Sequence, residues 1–395
     1  MFAVLPPARK AATRVVALLS VLWLAACEPI PIAGMGGGGE GPAIDTSRPV
    51  PVALLVPRSD EGAGSVARSL ENAARLAVAD LGESARIDLR VYDTGGDSQQ
   101  AAEVAQLAVD DGARIILGPL FAEAANAAAV AVADDGVNVL SFSNNTSIAG
   151  GNVFVLGPTF ENTATRLANY ATRQGRTRAV IVHAENVEGQ TGRNAIETAA
   201  ARTGLEVVGT VPFTFSESGA VSAASQARDA VASADADAVF LTSNSAGALP
   251  LLAQLMPERG VDPAVTQYIG LARWDVPPQT LDLPGLQGGW FALPDQNMVE
   301  NFNARFEAAY GSQPHPLAGL AYDGIAAIGA LIEQGNRKAL TRSALTQGAG
   351  FQGTGGAFRL LSDGTNQRAL SVATIRDGKV TILDPAPRSF GGAGL

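Results

Sequence analysis

Short apolar segments alternate along the chain with longer segments in which apolar residues recur every three or four positions. The clearest case lies in the first third of the chain. Apolar and polar residues alternate over 87–92, which predicts a half-buried strand, and apolar strands follow at 115–117 and 137–140. Two helices, one starting near Asp97 and one over 121–135, are predicted between these strands. This order, with short connections, is typical of a parallel sheet flanked by helices.

Local signals set the ends of the first of these helices. Asp97 stands three residues before Gln100, which is the spacing of a capping box, in which each side chain bonds the other residue's backbone amide. Gly112 is expected to end the helix. The stretch 93–97 also mimics part of a calcium loop, but its closing glutamate is missing, so a strand-to-helix turn capped by Asp97 is the favoured interpretation.

The same alternation extends over the rest of the chain. After Gly157 and Pro158 the pattern starts again, and strand starts recur about every 25 to 35 residues in both halves, which predicts two doubly wound lobes. The other predicted strands are 52–56, 153–156, 179–183, 206–211, 238–241, 267–270, 356–361, 369–375 and 380–383. The other predicted helices are 66–81, 160–174, 192–203, 221–232, 246–256, 295–310 and 317–334.

The first 27 residues predict a targeting signal rather than part of the fold. Three basic residues precede an apolar stretch at 15–24, which is too short to span a bilayer. The tetrad Leu24-Ala25-Ala26-Cys27 resembles the bacterial lipobox, in which the cysteine is lipidated, so Cys27 is the predicted lipidation site. The alternative is a signal peptide that ends near a cysteine by chance. Cys27 is the only cysteine, so no intrachain disulfide can form.

Composition predicts a tether after this signal and limits the classes of partner. Residues 28–49 are rich in glycine and proline and are expected to be flexible. The net charge is −10, and it becomes −13 without residues 1–27, which carry three basic and no acidic residues. A strongly negative chain disfavours nucleic acid and anionic lipid surfaces as partners. We therefore expect contact with a membrane through the lipid anchor only.

Five segments of the chain have an order and a spacing that are specific when taken together. They are 52–57, Asp93 with 98–101, 112–119, 137–143 and 351–356. They resemble the type I periplasmic solute-binding proteins of the branched-chain amino acid receptor group, over residues 52–383. The resemblance implies an α/β fold of two doubly wound parallel-sheet lobes, joined by a three-crossing hinge, with a ligand cleft between the lobes.

The resemblance also implies where the parts of the fold lie. The crossings are expected near Gly157, near Ala292, and between Leu361 and Leu370. Lobe 1 is expected at 50–157 plus 293–361, lobe 2 at 158–292 plus 369–385, and a tail at 386–395.

Amino-acid binders of this group hold the ligand carboxylate with a hydroxyl and backbone amides after the third strand, and the ligand ammonium with an acid in the far lobe. Such charge-assisted hydrogen bonds need matched partners. Here Ala122 lacks the hydroxyl, Glu188 stands where an aromatic residue is usual, and Arg273 stands where an acid is expected, with Asp275 as the only acid nearby. The resemblance therefore implies a degraded amino-acid clamp. The candidate cleft residues are Ala122, Ser143, Asn144, Asn145, Glu188, Arg273 and Trp274.

Two functions fit these features. The leading hypothesis is a lipoprotein activator of a penicillin-binding protein, because such activators share the lipid anchor, the glycine-rich tether, the 118–120 turn and the degraded clamp. The chain departs from them because only the tether precedes the fold, where they carry a long helical-repeat domain. The alternative is the substrate-binding subunit of an ABC importer, with a permease as partner and an amino acid or other small solute in the cleft. Glu28 is not the usual aspartate retention signal, so the periplasmic side of an outer membrane is favoured.

Catalytic motifs and metal sites are not predicted. The two histidines, His183 and His315, stand alone, and with one cysteine they leave no zinc spacing. No lysine follows a serine by three residues, and no nucleophile elbow or Walker-type loop occurs. We therefore expect a protein that is not an enzyme and needs no cofactor. Trp274 and Trp290 flank a loop, where they could stack on a ligand, although packing is slightly favoured.

Overall fold

The computed structural model describes residues 41–390, so the predicted signal peptide, Cys27 and residues 28–40 of the tether lie outside the described residues. The strands are β1 (Val50–Val56), β2 (Ile87–Asp93), β3 (Ile115–Leu117), β4 (Val139–Ser141), β5 (Val153–Val155), β6 (Arg178–Ala184), β7 (Glu206–Phe213), β8 (Ala238–Leu241), β9 (Gln267–Gly270), β10 (Trp290–Leu293), β11 (Phe351–Gly353), β12 (Gly356–Leu360), β13 (Asn366–Arg368), β14 (Ser371–Arg376) and β15 (Lys379–Asp384).

The helices alternate with the strands over most of the chain. They are α1 (Gly64–Leu81), α2 (Ser98–Asp110), α3 (Ala122–Ala131), α4 (Phe160–Arg173), α5 (Val187–Thr203), α6 (Glu217–Ala234), α7 (Leu249–Glu258), α8 (Gln296–Tyr310), α9 (Ala318–Glu333) and α10 (Arg342–Leu345). Strands β1, β2, β3 and β5 are thus each followed by a helix that can cover the sheet, as the periodicity predicts, whereas β4 leads to β5 through a single 3-10 turn, Thr146–Ile148.

The first lobe is built on a parallel sheet with the strand order β2-β1-β3-β4-β5. Its interior strand β1 is apolar without interruption because both of its faces are covered. Val52 and Leu54 face a core that includes α1 and α9, while Ala53 and Leu55 face a second core that includes α2 and α3. The small antiparallel sheet β11-β12-β13 packs on the α1 and α9 side.

The second lobe is built on a seven-stranded sheet with the order β7-β6-β8-β9-β10-β14-β15. The strands from β7 to β10 are parallel, and β14 and β15 complete the sheet in the antiparallel sense. Val180 and Val182 face a core that includes α6 and α7, whereas Ala179 and Ile181 face α4 and α5. Strand alternation therefore divides the apolar residues between two covered faces.

The chain passes between the two lobes three times, at 156–159, 294–295 and 369–370. Buried polar side chains tie the first and third of these crossings together. The Asn366 amide donates to the carbonyls of Val155 and Gly157, both at 2.8 Å. Arg368 donates to the Leu156 carbonyl at 2.7 Å and pairs with the Asp323 carboxylate at 2.9 Å. Because its members are hydrogen-bonded, this network fixes the geometry of the hinge.

Several boundaries differ from the predictions for local reasons. Helix α5 starts five residues early, at Val187, because the Asn186 side chain accepts from the Gly189 amide at 2.8 Å. The capping box forms only in part: Asp97 accepts from the Gln100 amide, but the Gln100 side chain donates to the Asp93 carbonyl instead.

Two further segments correct the sequence interpretation. Strand β10 is not predicted, yet it lies between β9 and β14 and contains Ala292, so the second crossing comes after that residue. The predicted tether also ends before residue 49. Ile44 is 2% exposed in the first-lobe core and donates from its amide to the Arg337 carbonyl at 2.9 Å. Burial of this one apolar side chain holds residues 41–49 against the lobe.

Candidate functional site

Open α/β sheets bind ligands beyond the carboxyl ends of their strands, at the point where the strand order reverses. In the second lobe this point lies between β6 and β8, which are neighbours in the sheet although β7 separates them in the chain. The loops that follow these two strands are therefore the first place to look for a site.

A pocket of about 200 Å³ lies at this point, and we call it the second-edge pocket. Glu188 lines it from the first turn of α5, and the Asn244 side-chain amide donates to the Glu188 carboxylate at 2.8 Å. Thr242 and Ser243 line it from the end of β8. The lining residues are Ala184, Asn186, Glu188, Gly189, Phe215, Thr242, Ser243, Asn244, Ala246, Gly247 and Ala248.

The floor of this pocket contains polar groups that lack partners. Thr242 is 2% exposed and Ser243 is 9% exposed, and neither hydroxyl oxygen has a hydrogen-bond partner among the described residues. A buried polar group without a partner costs free energy, and native proteins satisfy nearly all such groups. These two hydroxyls are therefore the strongest indication, within residues 41–390, of a group that a solute could satisfy.

Two glycines allow α5 to approach the strand ends closely enough to form the pocket. A Cβ at Gly189 would lie 2.2 Å from the Ala184 carbonyl oxygen, and a Cβ at Gly192 would lie 3.1 Å from the Thr242 methyl group. Any larger side chain at Gly189 would push the start of α5 away from β6. The local sequence thus places the Glu188 carboxylate directly over the end of the sheet.

A second cavity, of about 320 Å³, lies at the hinge, and we call it the hinge cavity. Pro158, Pro294 and Leu370 line it from the three crossings, Leu320 lines it from the first lobe and Arg273 from the second. Its lining is largely apolar. A solute in this cavity would contact both lobes at once.

The charged groups around the hinge cavity are already paired with each other. Arg273 donates two hydrogen bonds to the Asp275 carboxylate, one from Nε at 2.9 Å and one from Nη2. Asp323 is 1% exposed and pairs with Arg368. His315 is half-buried, and its Nδ1 accepts from the Leu317 amide at 3.2 Å. The Arg273–Asp275 pair explains how an arginine can stand where the resemblance expects an acid.

Polar groups at the carboxyl edge of the first sheet serve the backbone of their own loops. The Ser143 hydroxyl accepts from the Asn145 amide at 3.0 Å, and the Asn145 side chain accepts from the Ser147 amide at 3.0 Å. Asn144 is exposed. Ala122 opens α3, whose first residues receive no side-chain cap from Phe121. These four candidates lie on the first lobe, and none of them lines either cavity.

Trp274 is not a cleft residue in this structure. Its side chain has no exposed surface and packs 5.9 Å from the Phe291 ring, centroid to centroid, in the second-lobe core. Gly270 and Gly289 leave room for its indole, since a Cβ at either position would lie within 2.5 Å of it. The packing role that the sequence slightly favours is the one observed. Trp290 packs edge-on against Tyr170 at 4.9 Å.

The structure thus divides the candidate residues among several places. Glu188 lies in the second-edge pocket, Arg273 in the hinge cavity, and Trp274 in the core. Sequence reasoning missed Thr242 and Ser243, although the polar run 242–245 directly after a buried strand was an available signal.

The described part of the chain shows neither a metal site nor a spanning helix. Residues 41–390 contain no group of three or more histidine, cysteine, aspartate or glutamate side chains arranged to hold a metal ion. Among the helices of this region, none combines the length and the apolar character that a membrane crossing requires. His183 is buried; its Nδ1 bonds the Ala184 carbonyl at 3.0 Å, and its Nε2 has no hydrogen-bond partner among the described residues.

Comparison with solved structures supports the same architecture. A branched-chain amino acid ABC transporter protein from Rhodospirillum rubrum is 20% identical, with a TM-score of 0.71 over 85% of this chain and 100% of that one. An ABC transporter substrate-binding protein from Desulfitobacterium hafniense, in complex with Leu, is 18% identical, with a TM-score of 0.59 over 85% of this chain and 100% of that one. At these identities the likeness shows the fold.

A third structure carries a different ligand on this fold. The solute-binding protein of an ABC transporter from Rhodopseudomonas palustris BisB5, in complex with 3,4-dihydroxybenzoic acid, is 18% identical, with a TM-score of 0.56 over 86% of this chain and 98% of that one. No curated protein matches the sequence. The profile of the family described as "Periplasmic binding protein" matches residues 49–379, which is most of the chain. The chain therefore belongs to the periplasmic binding protein family.

Proposed function

We propose that this chain is the solute-binding subunit of an ABC importer. The observation that carries the proposal is the hinge cavity, because it is lined by both lobes and by all three crossings. A solute that binds there gains contacts with the second lobe through Arg273 and with the first lobe through Leu320 only when the lobes are close. Binding would therefore favour a closed arrangement, which is the hinge type of domain closure around a ligand.

The comparisons favour this proposal over the leading hypothesis from the sequence. The solved structures with the same fold are described as ABC transporter proteins, and two of them hold ligands as different as Leu and 3,4-dihydroxybenzoic acid. Since one fold accommodates both, the identity of the solute must come from the side chains of this chain.

The proposal is tested by solution scattering on the full chain purified in detergent, with a library of small solutes. We expect one class of solute to reduce the radius of gyration. Val299→Trp, which fills the hinge cavity, should abolish this response, whereas Val130→Trp, at a 69% exposed position on the first lobe, should leave it intact. No change in scattering with any solute, together with unchanged uptake after gene deletion, would contradict the proposal.

A penicillin-binding protein activator is the second candidate function. It is favoured by the carboxyl edge of the first sheet, where the Ser143 hydroxyl and the Asn145 side-chain oxygen accept hydrogen bonds from backbone amides of their own loop. Ala122, at the same edge, offers no hydroxyl. An activator needs an exposed lobe surface rather than a closing cleft. If this candidate is right, the full chain should stimulate glycan polymerisation by a bifunctional penicillin-binding protein without any added solute.

Anchoring through Cys27 is part of both proposals. If the lipobox is used, the wild-type chain should fractionate with membranes, and mass spectrometry should find an acylated Cys27 as the new N-terminus. Cys27→Ala should then escape processing at that site. An unmodified Cys27 in the mature protein would show that the tetrad is a coincidence. Stable anchoring takes more than one acyl signal.

A further inference from the structure

Beyond the three crossings that join the two sheets, the chain returns from the second lobe to the first after its last strand. Strand β15 ends at Asp384 in the second-lobe sheet, and Phe390 packs with Ala357 of β12 and with Ala369 of the third crossing. The first part of the tail expected from the sequence is therefore packed on the fold. We propose that residues 385–390, which we call the strap, restrain the hinge and favour the observed arrangement of the lobes.

The second-lobe end of the strap is held by Arg166 of α4. This side chain is 7% exposed, and it donates to the carbonyls of Asp384 and Pro385 at 3.3 and 3.2 Å and pairs with the Asp384 carboxylate at 3.0 Å. The same guanidinium donates to the Leu370 carbonyl of the third crossing at 2.6 Å. One buried arginine therefore joins the start of the strap to a crossing, through charge-assisted hydrogen bonds, which are the strong ones.

The first-lobe end is held by packing and by a hydrogen bond to the strap backbone. Phe390 is 8% exposed, and the guanidinium carbon of Arg359 lies 4.9 Å from its ring centroid. Gly350 leaves room for the ring, since a Cβ there would lie 3.1 Å from it. The Gln352 side-chain amide donates to the Arg388 carbonyl at 2.9 Å. Burial of a large aromatic ring removes apolar surface from water, which keeps this end of the strap docked on the first lobe.

The segment between these two attachments is short and stiff. Pro385 and Pro387 each hold their own φ angle near about −65°. Between them, the Ala386 amide donates to the Ser371 hydroxyl at 3.0 Å, which holds the strap along β14. A change in the angle between the lobes must therefore bend the strap or break one of its attachments. Hinge opening is disfavoured as long as both ends are docked.

The strap also reaches the wall of the hinge cavity. Ala357 and Ala369 line that cavity, and the Phe390 ring packs on the same two residues. Phe390 itself is not among the lining residues. Truncation of this ring should therefore change the mobility of the hinge without removing any group that faces the cavity.

The strap is tested by double electron–electron resonance, which measures the distance between two spin labels. The labels are attached to Gln99→Cys and Val187→Cys, two exposed positions that follow β2 and β6, on the side of each sheet away from the crossings. Opening of the lobes moves these positions apart. The full chain carries Cys27→Ala, so the introduced cysteines are its only thiols. Without any solute we expect a single narrow distance distribution.

Two variants release the strap in different ways. Phe390→Ala removes the first-lobe attachment and should broaden the distribution and shift it to longer distances, whereas Phe390→Leu, which keeps a large apolar side chain, should stay close to the parent chain. Insertion of Gly-Ser-Gly between Pro387 and Arg388 keeps both attachments but lengthens the segment between them, so it should also shift the distribution to longer distances. The matched control is the same insertion between Asp134 and Asp135, in an exposed turn of the first lobe, which should leave the distribution unchanged.

The outcomes distinguish a restraint on the hinge from local packing. If Phe390 only fills a gap, Phe390→Ala should lower the temperature of unfolding while the strap insertion leaves the distances unchanged, and the proposal is wrong. Equal shifts with the two insertions would also contradict it, because they would reflect a general loss of order. If Phe390→Ala does not fold, the strap insertion decides. Since no solute is used, the result is independent of the proposed solute-binding function, which is judged by the scattering response to solutes.

Discussion

The carboxyl edges of the two sheets differ in how they use most of their polar residues, although Thr94 at the first edge also has a buried hydroxyl without a partner among the described residues. At the first edge, Asp93 accepts from the amides of Arg58, Ser59 and Gly95 at 2.8–3.2 Å, and the Ser143 hydroxyl accepts from the amide of Asn145. At the second edge, Thr242 and Ser243 keep buried hydroxyls without partners within residues 41–390, and the side-chain contact of the Glu188 carboxylate in this region is with the Asn244 amide.

This difference teaches where to look for a binding site within one repeated architecture. A polar group that is satisfied by its own loop stabilises the fold and has little left to offer a solute. A polar group that is buried without a partner costs stability until something binds it. Most polar groups described at the first edge therefore serve the fold, whereas the second edge keeps two hydroxyls and a carboxylate with unused hydrogen-bonding capacity. Substitutions at the two edges should consequently change stability and affinity in different directions.

The largest expected effect comes from Trp274, beneath the second edge. Trp274→Ala removes a side chain with no exposed surface and should lower the free energy of unfolding by about 3–5 kcal/mol, measured by urea denaturation. Trp274→Phe should cost less, since it keeps a ring and removes an indole N–H that has no partner among the described residues. If Trp274→Ala weakened solute binding without lowering the free energy of unfolding, Trp274 would contact the solute instead of packing in the core.

Asp93, at the first edge, should give the next largest effect. Burial acts to raise its pKa, but hydrogen bonds from the amides of Gly95, Ser59 and Arg58 outweigh it and hold the pKa of Asp93 below its ordinary value of 3.8. Asp93→Asn should cost about 1–2 kcal/mol at neutral pH, because three amides lose an ionised acceptor.

The pH dependence of this contribution has a defined sign. It is fully present above the unfolded pKa of about 3.8, and it is lost as the pH falls through the lower pKa of the folded state. Wild type and Asp93→Asn should therefore converge in stability in acid, as followed by urea unfolding at several pH values. Asp97→Asn is a useful control, because it changes the same charge on the neighbouring helix cap, where asparagine caps equally well. A constant difference between wild type and Asp93→Asn over this range would contradict the assignment.

Ser143→Ala, also at the first edge, should cost about 1 kcal/mol and leave the affinity for solutes unchanged. Ser143 is 8% exposed and its hydroxyl accepts from the Asn145 amide, so removal of the hydroxyl leaves that amide without this partner. Thermal unfolding measures the change in stability, and calorimetry on the same sample measures the affinity for solutes. A marked loss of affinity would mean that Ser143 faces the solute and that the first edge is also part of the site.

Thr242→Val, at the second edge, should have the smallest effect on stability and the opposite sign. Replacing a buried hydroxyl that has no partner by a methyl group should raise the free energy of unfolding by up to about 1 kcal/mol in the absence of solute. The same change should weaken several-fold the binding of any solute that hydrogen-bonds the Thr242 hydroxyl in the second-edge pocket. Thr374→Val, at a threonine of β14 that is also buried without a hydrogen-bond partner among the described residues and lies away from the pocket, is the matched control. Stabilisation without weaker binding would show that the hydroxyl plays no part in recognition.

The sequence by itself determined the architecture of this protein. The uninterrupted apolar strand at 52–56, the helix periodicities and the glycines that end helices are local patterns. They act over a few residues and need no knowledge of distant contacts. The strands β8 and β9 and the first-lobe strand β3 match their predicted bounds residue for residue. Strand β10 escaped prediction, although at four residues it is as long as β8 and β9.

The tertiary structure alone decided which polar residues come together at the second edge. Glu188 and Thr242 lie 54 positions apart in the chain, and they meet because β6 and β8 are neighbours in the sheet and two glycines let α5 approach. In the same way, only the folded chain shows that the Ser143 hydroxyl is used by its own loop whereas the Thr242 hydroxyl is not. Hydrogen-bond satisfaction depends on the positions of all neighbouring donors and acceptors, and a linear pattern of residue types does not contain those positions.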